Sequence, residues 1–415
     1  MIKFVFGSVP KDGGTFTFYR NLRPALLEHE IDMRCVAVGK AQAQLWEQDY
    51  ADEGCVLLAP NTRNIKKQAL VFAEWCEAEQ IDIIMGINSE AILSAIPHLP
   101  ERIRVLSRCA NGFDHGYRIT LSGKERLARI VAVTPRLARD LIEYYDADPA
   151  ILHLIPNGID PKPFEKASQT PRGGQDQLQL GFLGRLEHHQ KGVFHLPIIV
   201  RELNARGVFF KLRIAGKGKH RRILEKQMSH EMETGQVEFL GVLNSQDVPQ
   251  FLAETDMFLF TSHFEGCPNA LLEAMMAGCV PVSWLIEGIT DFIIEEGKTG
   301  FICSTGNYAC LASHIEKLDG DRKTLQIMSE EASRSARERF TDQKAASAYA
   351  DLIKEAMDQP PPPWVPKPWN EFAPDPNFEY SWKDRLHGIN LIRWVKKKLQ
   401  TVLVSVFMPG HPGDL

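Results

Sequence analysis

The sequence predicts an α/β protein with two doubly wound, Rossmann-like domains in series and a C-terminal extension. Three observations carry this. Short, almost wholly apolar runs alternate with longer segments whose apolar residues recur at helical spacing; the alternation occurs twice; and a Pro-, Gly- and polar-rich stretch separates the two series. Parallel strands covered by helices on both faces read as continuous apolar runs, and strand–helix alternation implies a doubly wound sheet. At 415 residues the chain exceeds one ordinary core and suits two domains.

In the first series the strand-like runs are Ile2–Phe6, Met33–Val38, Ile81–Ile87, Ile103–Ser107 and Ile130–Thr134, with helical spacing over Phe16–Glu30 and Ile65–Glu79. The pattern pauses at IPNGID and runs on through PKPFEKASQTPRGGQDQ, which reads as a linker. The second series begins at Leu178 with LQLGFLG, then FKLRIAG, VEFLG, DMFLFTS and CVPVS, helices lying between. The expected division is a first domain over 1–160, a linker over 161–177, a second domain over 178–340 and a helix over 341–358 that could cross back to the first domain. A Pro-rich linker over 359–378 and a basic amphipathic tail over 379–415 follow. DQPPPPWVPKPW cannot continue a helix and should be extended.

A net charge of −5 with 24% charged residues shows no basic footprint for nucleic acid, and 44% hydrophobic residues suit a folded core. The eight cysteines form no C-x-x-C pair and mostly sit in apolar runs. That predicts a reducing compartment, with neither a disulfide frame nor a zinc site. MIKFVFGSVP reads as a first strand and not a signal peptide, and no run of 18 uncharged apolar residues predicts a spanning helix. The expected address is cytoplasmic.

The stretch TSHFEGCPNALLEAMMAGCVPV, residues 261–282, is the most informative. A strand ends near Thr261, a loop carries Glu265 and Gly266, and Pro268 suits a first helical turn. Free amides and the positive dipole end make such a helix start an anion site, with the amides of Asn269, Ala270 and Leu271 as candidate diphosphate donors. Glu265 and Glu273, eight positions apart, could flank that ligand on both sides and accept hydrogen bonds from vicinal hydroxyls.

This E-x7-E arrangement within EG-x-P-N-x-LLEAM-x-x-G-x-PV resembles glycosyltransferase family 4, the retaining glycosyl transferases of group 1, with the GT-B fold. The resemblance implies two Rossmann-like domains facing each other across a donor cleft, with Glu273 on the donor ribose and Glu265 beside the transferred sugar. LGFLGRLEHHQKGVFHL, residues 180–196, is similar to the family's GR-x-x-x-x-KG pattern with one extra residue between Arg185 and Lys191. It implies that these two cations hold the donor phosphates, where charge grows as the glycosidic bond breaks. LRIAGKGKHRRILE places Gly216 where the family lines its nucleotide pocket, and VEFLGVL places Val242 and Leu243 near the base.

On the first-domain side, SVPKDGGTFTFYRNL puts Gly13 and Gly14 between the first strand and a helix, like the family's glycine loop facing the donor phosphates or the acceptor. RCANGFDHGYRIT supplies Arg108, Asn111 and His115, with His115 matching a family histidine near the transferred sugar and Arg108 and Asn111 on the acceptor side. IPNGID resembles the interdomain segment.

The implied reaction moves a sugar from a UDP- or GDP-sugar to a glycan, lipid-linked or protein acceptor, in bacterial surface polysaccharide, lipopolysaccharide or glycoconjugate biosynthesis. No cofactor and no metal are expected, since Arg185, Lys191 and the helix start can neutralise the diphosphate. No nucleophile–base pair stands out, which favours front-face displacement over Glu265 as a covalent nucleophile. The alternatives are a sugar-nucleotide epimerase and a catalytically silent GT-B scaffold; a nicotinamide dehydrogenase lacks its dinucleotide fingerprint here. The segment 385–408, with Arg385, Arg393, Lys396, Lys397 and Lys398 beside Leu391, Ile392 and Trp394, suits either an anionic membrane surface or packing onto the protein.

Overall fold

The computed structural model describes residues 1–10, 13–169 and 176–379; the expected tail over 385–408 lies outside them. The first seven-stranded sheet comprises β1 (Ile2–Gly7), β2 (Ile31–Val38), β3 (Cys55–Leu58), β4 (Ile83–Gly86), β5 (Arg104–Cys109), β6 (Leu127–Ala132) and β7 (Leu152–Leu154), ordered β3-β2-β1-β4-β5-β6-β7. The second, six-stranded sheet comprises β8 (Leu178–Leu183), β9 (Phe210–Ala215), β10 (Val237–Gly241), β11 (Met257–Phe260), β12 (Val280–Trp284) and β13 (Phe301–Cys303), ordered β10-β9-β8-β11-β12-β13. Neighbouring strands pair in parallel throughout both sheets. The apolar runs expected as strands all lie in the sheets. The strands that carry no long apolar run, β3, β7 and β13, are short and sit at sheet edges, where one flank needs no neighbour.

In each sheet the strand order reverses once, between β1 and β4 and between β8 and β11. Connections leave those neighbours toward opposite faces, so a crevice opens at their carboxyl ends, the usual ligand position in such folds.

The stretch after IPNGID is more ordered than a linker. Lys162–Phe164 and Glu165–Ser168 are short helical turns, and Phe164 and Ala167 are buried in one core with Phe251 and Leu252 of the second domain. The chain returns to the first domain through Ile159 and Thr341, where Ile159 N–H donates to Phe340 O at 2.9 Å and Asp342 N–H to Ile159 O at 3.1 Å. The helix Asp342–Asp358 then lays Ala346, Tyr349 and Ile353 into the first domain's core with Phe4, Phe6 and Phe18. Its end is received by Arg104 of β5, whose guanidinium donates to Ala356 O at 3.0 Å and Gln359 O at 2.8 Å. Cations suit the carbonyl-rich end of a helix.

The Pro-rich stretch 359–378 does not run free. Beyond the helix it folds back along the first domain: His98 Nδ1 meets Lys367 O at 2.8 Å and its ring stacks on Trp369 at 4.3 Å. Prolines remove backbone donors and keep the segment extended, so first-domain side chains do most of the anchoring, beside one backbone bond from Lys367 N–H to Pro97 O at 2.9 Å. One cysteine expectation is corrected. Cys303 at the end of β13 and Cys310 in the helix Tyr308–Gly320 form a disulfide with Cα atoms 6.2 Å apart, because the turn between them brings the two chains face to face.

Tyr349 of the returning helix is fully buried against Phe18, ring centroids 5.8 Å apart. Tyr349→Ala is expected to lower unfolding free energy by about 3 kcal/mol or more, the usual cost of emptying an aromatic core position, as read by urea denaturation.

Candidate active site

The second sheet's order reversal brings the loop after β8 against the loop after β11. Glu187 starts the short helix His188–Lys191 by accepting from His189 N–H at 3.0 Å and Gln190 N–H at 2.9 Å. Partial burial pushes its carboxyl up, but those two amides and Lys219 win and hold it at about 2. Gly192 ends the helix at φ +62°, and a Cβ there would run into Thr261 O; both demands select glycine. Across the same seam Thr261 Oγ1 donates to Lys191 O at 2.9 Å and His263 N–H to Gln190 O at 2.8 Å.

A histidine group braces the seam from below. His195 Nε2 and His263 Nε2 are 2.8 Å apart, so one donates and the other accepts, and His195 Nδ1 meets Tyr308 Oη at 2.7 Å. Burial, reinforced by His263 and His188, pulls His195 down to about 4, which keeps this ring neutral at ordinary pH. These histidines are far apart in sequence and carry no recognisable spacing; only the loop pairing collects them.

The seam delivers the central pair. Lys191 Nζ lies 2.7 Å from Glu265 Oε1, with side chains 16% and 7% exposed. Gln190 Nε2 donates to Glu265 Oε2 at 3.2 Å, and Arg185, which is exposed, donates to Gln190 Oε1. Both predicted cations and the first predicted carboxylate thus share one network. Coulomb attraction in a partly dry site holds Lys191 and Glu265 together much more tightly than a surface pair.

Beside it begins the helix Asn269–Met276, preceded by Pro268. The Leu271 and Leu272 amides both donate to Pro268 O, at 3.1 and 3.2 Å. Leu271 is therefore turned inward, and of the three amides expected to face a ligand, those of Asn269 and Ala270 remain. Asn269 and Glu273 are four apart and share the partly exposed face, whereas Leu271, Leu272 and Met275 are buried. Enclosure of the Glu273 carboxyl pushes it up to about 7.

The G-x-G after β9 packs against the neighbouring loop's backbone. A side chain at Gly216 would run into Gly184 O, and one at Gly218 into Leu186 O. Leu186 N–H donates to Lys217 O at 2.9 Å, and Gly216 N–H to Gly241 O at 2.6 Å. Its direct work is to clamp the Arg185 loop in place. Leu243 is partly buried beside Leu240 against the second domain's core, and Val242 is exposed.

At the first sheet's reversal lies a cavity of about 520 Å³. Its walls include Ser8, Gly13 and Gly14 after β1, Asn88 after β4, and Asn111, Phe113 and His115 after β5. His115 is buried in the helix Asp114–Thr120, with Phe378 edge-on at 6.0 Å. The next residue along from Asn111, Gly112, would bring a Cβ within 3.3 Å of Glu265 O, and Gly266 faces Ala110 O. The first-domain cavity and the Lys191–Glu265 network thus meet at one loop contact.

Arg108 is not on the cavity wall, which corrects its expected acceptor-side place. It shares strand parity with Arg104 and Leu106, so it points into the core, 3.8 Å over the Phe18 ring. Its Nη2 donates to Asn157 Oδ1 at 2.5 Å, and Asn157 Nδ2 donates to Asn269 Oδ1 at 2.6 Å and to Cys267 O at 3.1 Å. Asn157 of the IPNGID turn therefore ties β5 to the helix start. The turn motif was visible in sequence; this coupling was not. Among the described residues, one grouping of three candidate metal ligands occurs, Cys303, Cys310 and His314. It lies at the edge strand β13, and its cysteines are joined to each other.

Two Rossmann-like domains, each with its order-reversal crevice and joined at a shared loop contact, define a GT-B protein. The family description "Glycosyltransferase Family 4" matches residues 12–162 and "Glycosyl transferases group 1" matches residues 164–335. The chain belongs to this glycosyltransferase family. It is 27% identical over 243 residues to glycogen synthase of Mycobacterium tuberculosis, covering 57% of each. It is 24% identical over 315 residues to N-acetyl-alpha-D-glucosaminyl L-malate synthase of Bacillus anthracis, covering 69% of this chain and 77% of that one. The chain thus spans just over half the length of the first of these curated relatives. Among solved structures it resembles Anabaena Alr3699/HepE in complex with UDP and glucose, with TM-score 0.67 and 18% identity, over 86% of this chain and 100% of that one. It also resembles a mutant of S. aureus TarM in complex with Fondaparinux, alpha-GlcNAc-glycerol and UDP, with TM-score 0.70 and 11% identity, over 85% and 100%.

Because the Glu273 carboxyl is raised from 4.5 to about 7, the folded state holds more protons than the unfolded state between those values. Stability therefore falls as pH rises from 4.5 through 7 and stays lower above. Glu273→Gln is expected to raise Tm at pH 8, corresponding to about 3 kcal/mol at most, and to leave it unchanged at pH 4. An equal effect at both values would show that the carboxyl is not held protonated by burial.

Proposed function

We propose that the protein transfers a sugar from a nucleoside diphosphate donor to an acceptor hydroxyl, retaining the anomeric configuration. The observation that carries this is the enclosed Lys191–Glu265 pair at the order reversal, with Arg185 one hydrogen bond away and a helix start alongside. Cations and helix amides together suit a diphosphate, and Glu265 suits the sugar next to it. Glu273, on the same helix face as Asn269, is the candidate for the ribose hydroxyls. UDP is the first donor nucleotide to try, because two structural neighbours hold it; a glycan-like acceptor follows from the same comparison.

In the proposed step the acceptor oxygen bonds to the anomeric carbon while the bond from that carbon to the diphosphate oxygen breaks. The acceptor proton passes to the departing phosphate oxygen on the same face. Negative charge grows on the diphosphate, where Arg185, Lys191 and the Asn269 and Ala270 amides are already oriented, so little reorganisation is needed. Glu265 holds Lys191 in place before the donor arrives. The reaction so proposed takes no metal and no cofactor, with Arg185, Lys191 and the helix-start amides meeting the diphosphate.

The test is a thermal-shift series with UDP, GDP and their sugars, followed by turnover. A ligand that binds only the folded state raises Tm with occupancy. UDP or GDP should raise Tm in the wild type and not in Lys191→Ala. Arg185→Ala, Lys191→Ala and Glu265→Ala should each lower turnover about 100-fold or more, in variants whose unfolding shows they are folded. The anomeric configuration of the product, read by NMR coupling, should match the donor. A new sugar nucleotide formed without acceptor would replace this reading with epimerisation, and the absence of any nucleotide response would replace it with a binding scaffold.

A further inference from the structure

The segment after the returning helix lies beyond both family-matched spans, which end at residue 335, and it closes one side of the first-domain cavity. Residues 364–379 run as a strap along the first domain. Besides the His98 contacts, Asp375 N–H donates to Ser94 Oγ at 2.8 Å, and Ser122 Oγ donates to Asp375 Oδ1 at 3.0 Å. The same carboxylate accepts from Asn377 N–H at 2.8 Å, and Phe378 N–H donates to Asp375 O at 3.2 Å. Asp375 therefore both pins the strap and folds the tight turn that aims the next aromatic. Arg118 finishes the anchor on Asn377 O and Glu379 O, at 3.3 and 3.1 Å.

The turn places Phe378 in the wall of the cavity that also holds Gly14, Asn111 and His115. Phe378 also lines a smaller neighbouring cavity of about 170 Å³, as Ala41, Gln42 and Asn88 do. An aromatic side chain this strongly positioned, partly exposed beside amide and imidazole groups, suits a ligand with one apolar face and several hydroxyls. Aromatic faces attract C–H groups and cover apolar area at little entropic cost, and a cavity of this size suits a small ligand.

The geometry points to Phe378 as a specificity-determining residue of the acceptor site, stacking on the ring face of a glycoside acceptor, with the strap as an added wall that Asp375 holds in place. This rests on the transferase reading above. Strap and cavity form one unit, so a change in the strap reaches acceptor choice without touching the Lys191–Glu265 network.

The test uses the full chain, with methyl and phenyl α- and β-hexosides as probes. Their binding is followed by saturation-transfer NMR in the presence of UDP, and their glycosylation from UDP-glucose is followed in parallel. Phe378→Ala should raise glycoside Kd and acceptor KM about tenfold and change the ranking of the probes. Phe378→Tyr should stay within about threefold, and Asp375→Ala, which loosens the turn, should follow Phe378→Ala. The UDP thermal shift should match wild type in all three. Equal glycoside binding in wild type and Phe378→Ala overturns the inference, as does a wild type that binds UDP but none of the glycosides. A wild type without a UDP response overturns the transferase reading, and this inference with it.

Discussion

The site depends on one constraint of parallel sheets: where strand order reverses, the two neighbouring strands send their chains to opposite faces and leave an uncovered crevice at their carboxyl ends. Each sheet has one such reversal. In the second sheet, β8 and β11 deliver the loops bearing Arg185 with Lys191 and Glu265 to opposite lips of the same crevice. Residues 74 positions apart in sequence become a 2.7 Å ion pair because two buried strands lie side by side.

The crevice alone would leave those loops loose. They are drawn together where Gly192 admits the Thr261 carbonyl, where His263 meets the Gln190 carbonyl, and where His195 and His263 share a proton between their rings. The G-x-G segment presses on the Arg185 loop from the other side. Several short contacts, each modest alone, thereby fix a charged pair that would otherwise pay heavily for leaving water. A neutral His195 serves here better than a charged one, since an added cation close to Lys191 would oppose it.

The domains are joined by more than a connecting segment. Asn157 holds Arg108 of β5 on one side and Asn269 of the helix Asn269–Met276 on the other, while the helix Asp342–Asp358 returns to complete the first domain's core. The strap that follows is held mostly by first-domain side chains, because its prolines lack amide donors. Contacts at the Asn157 turn, the returning helix, the Gly112–Glu265 loop pair and the Arg139–Glu287 ion pair give the crevice a defined meeting line.

The sequence by itself determined the two sheets and marked Lys191 and Glu265 as candidates; that the two side chains pair was decided by the tertiary structure. Continuous apolar runs must be buried on both faces; G-R falls just after β8, K-G at the end of the short helix His188–Lys191, and E-x7-E across the loop and helix after β11, so local order marks Arg185, Lys191, Glu265 and Glu273 as candidates. What local order could not supply was anything resting on encounters between distant segments. Arg108 met Phe18 and Asn157 in the core in place of an acceptor-side wall, and Glu265 met Lys191 across the loop seam. The histidine brace, the Asn157 coupling and the seating of Phe378 against the cavity likewise have no spacing signature. Tertiary structure decided them, because a side chain's partner is set by which backbones pack together, and that packing is a property of the whole chain.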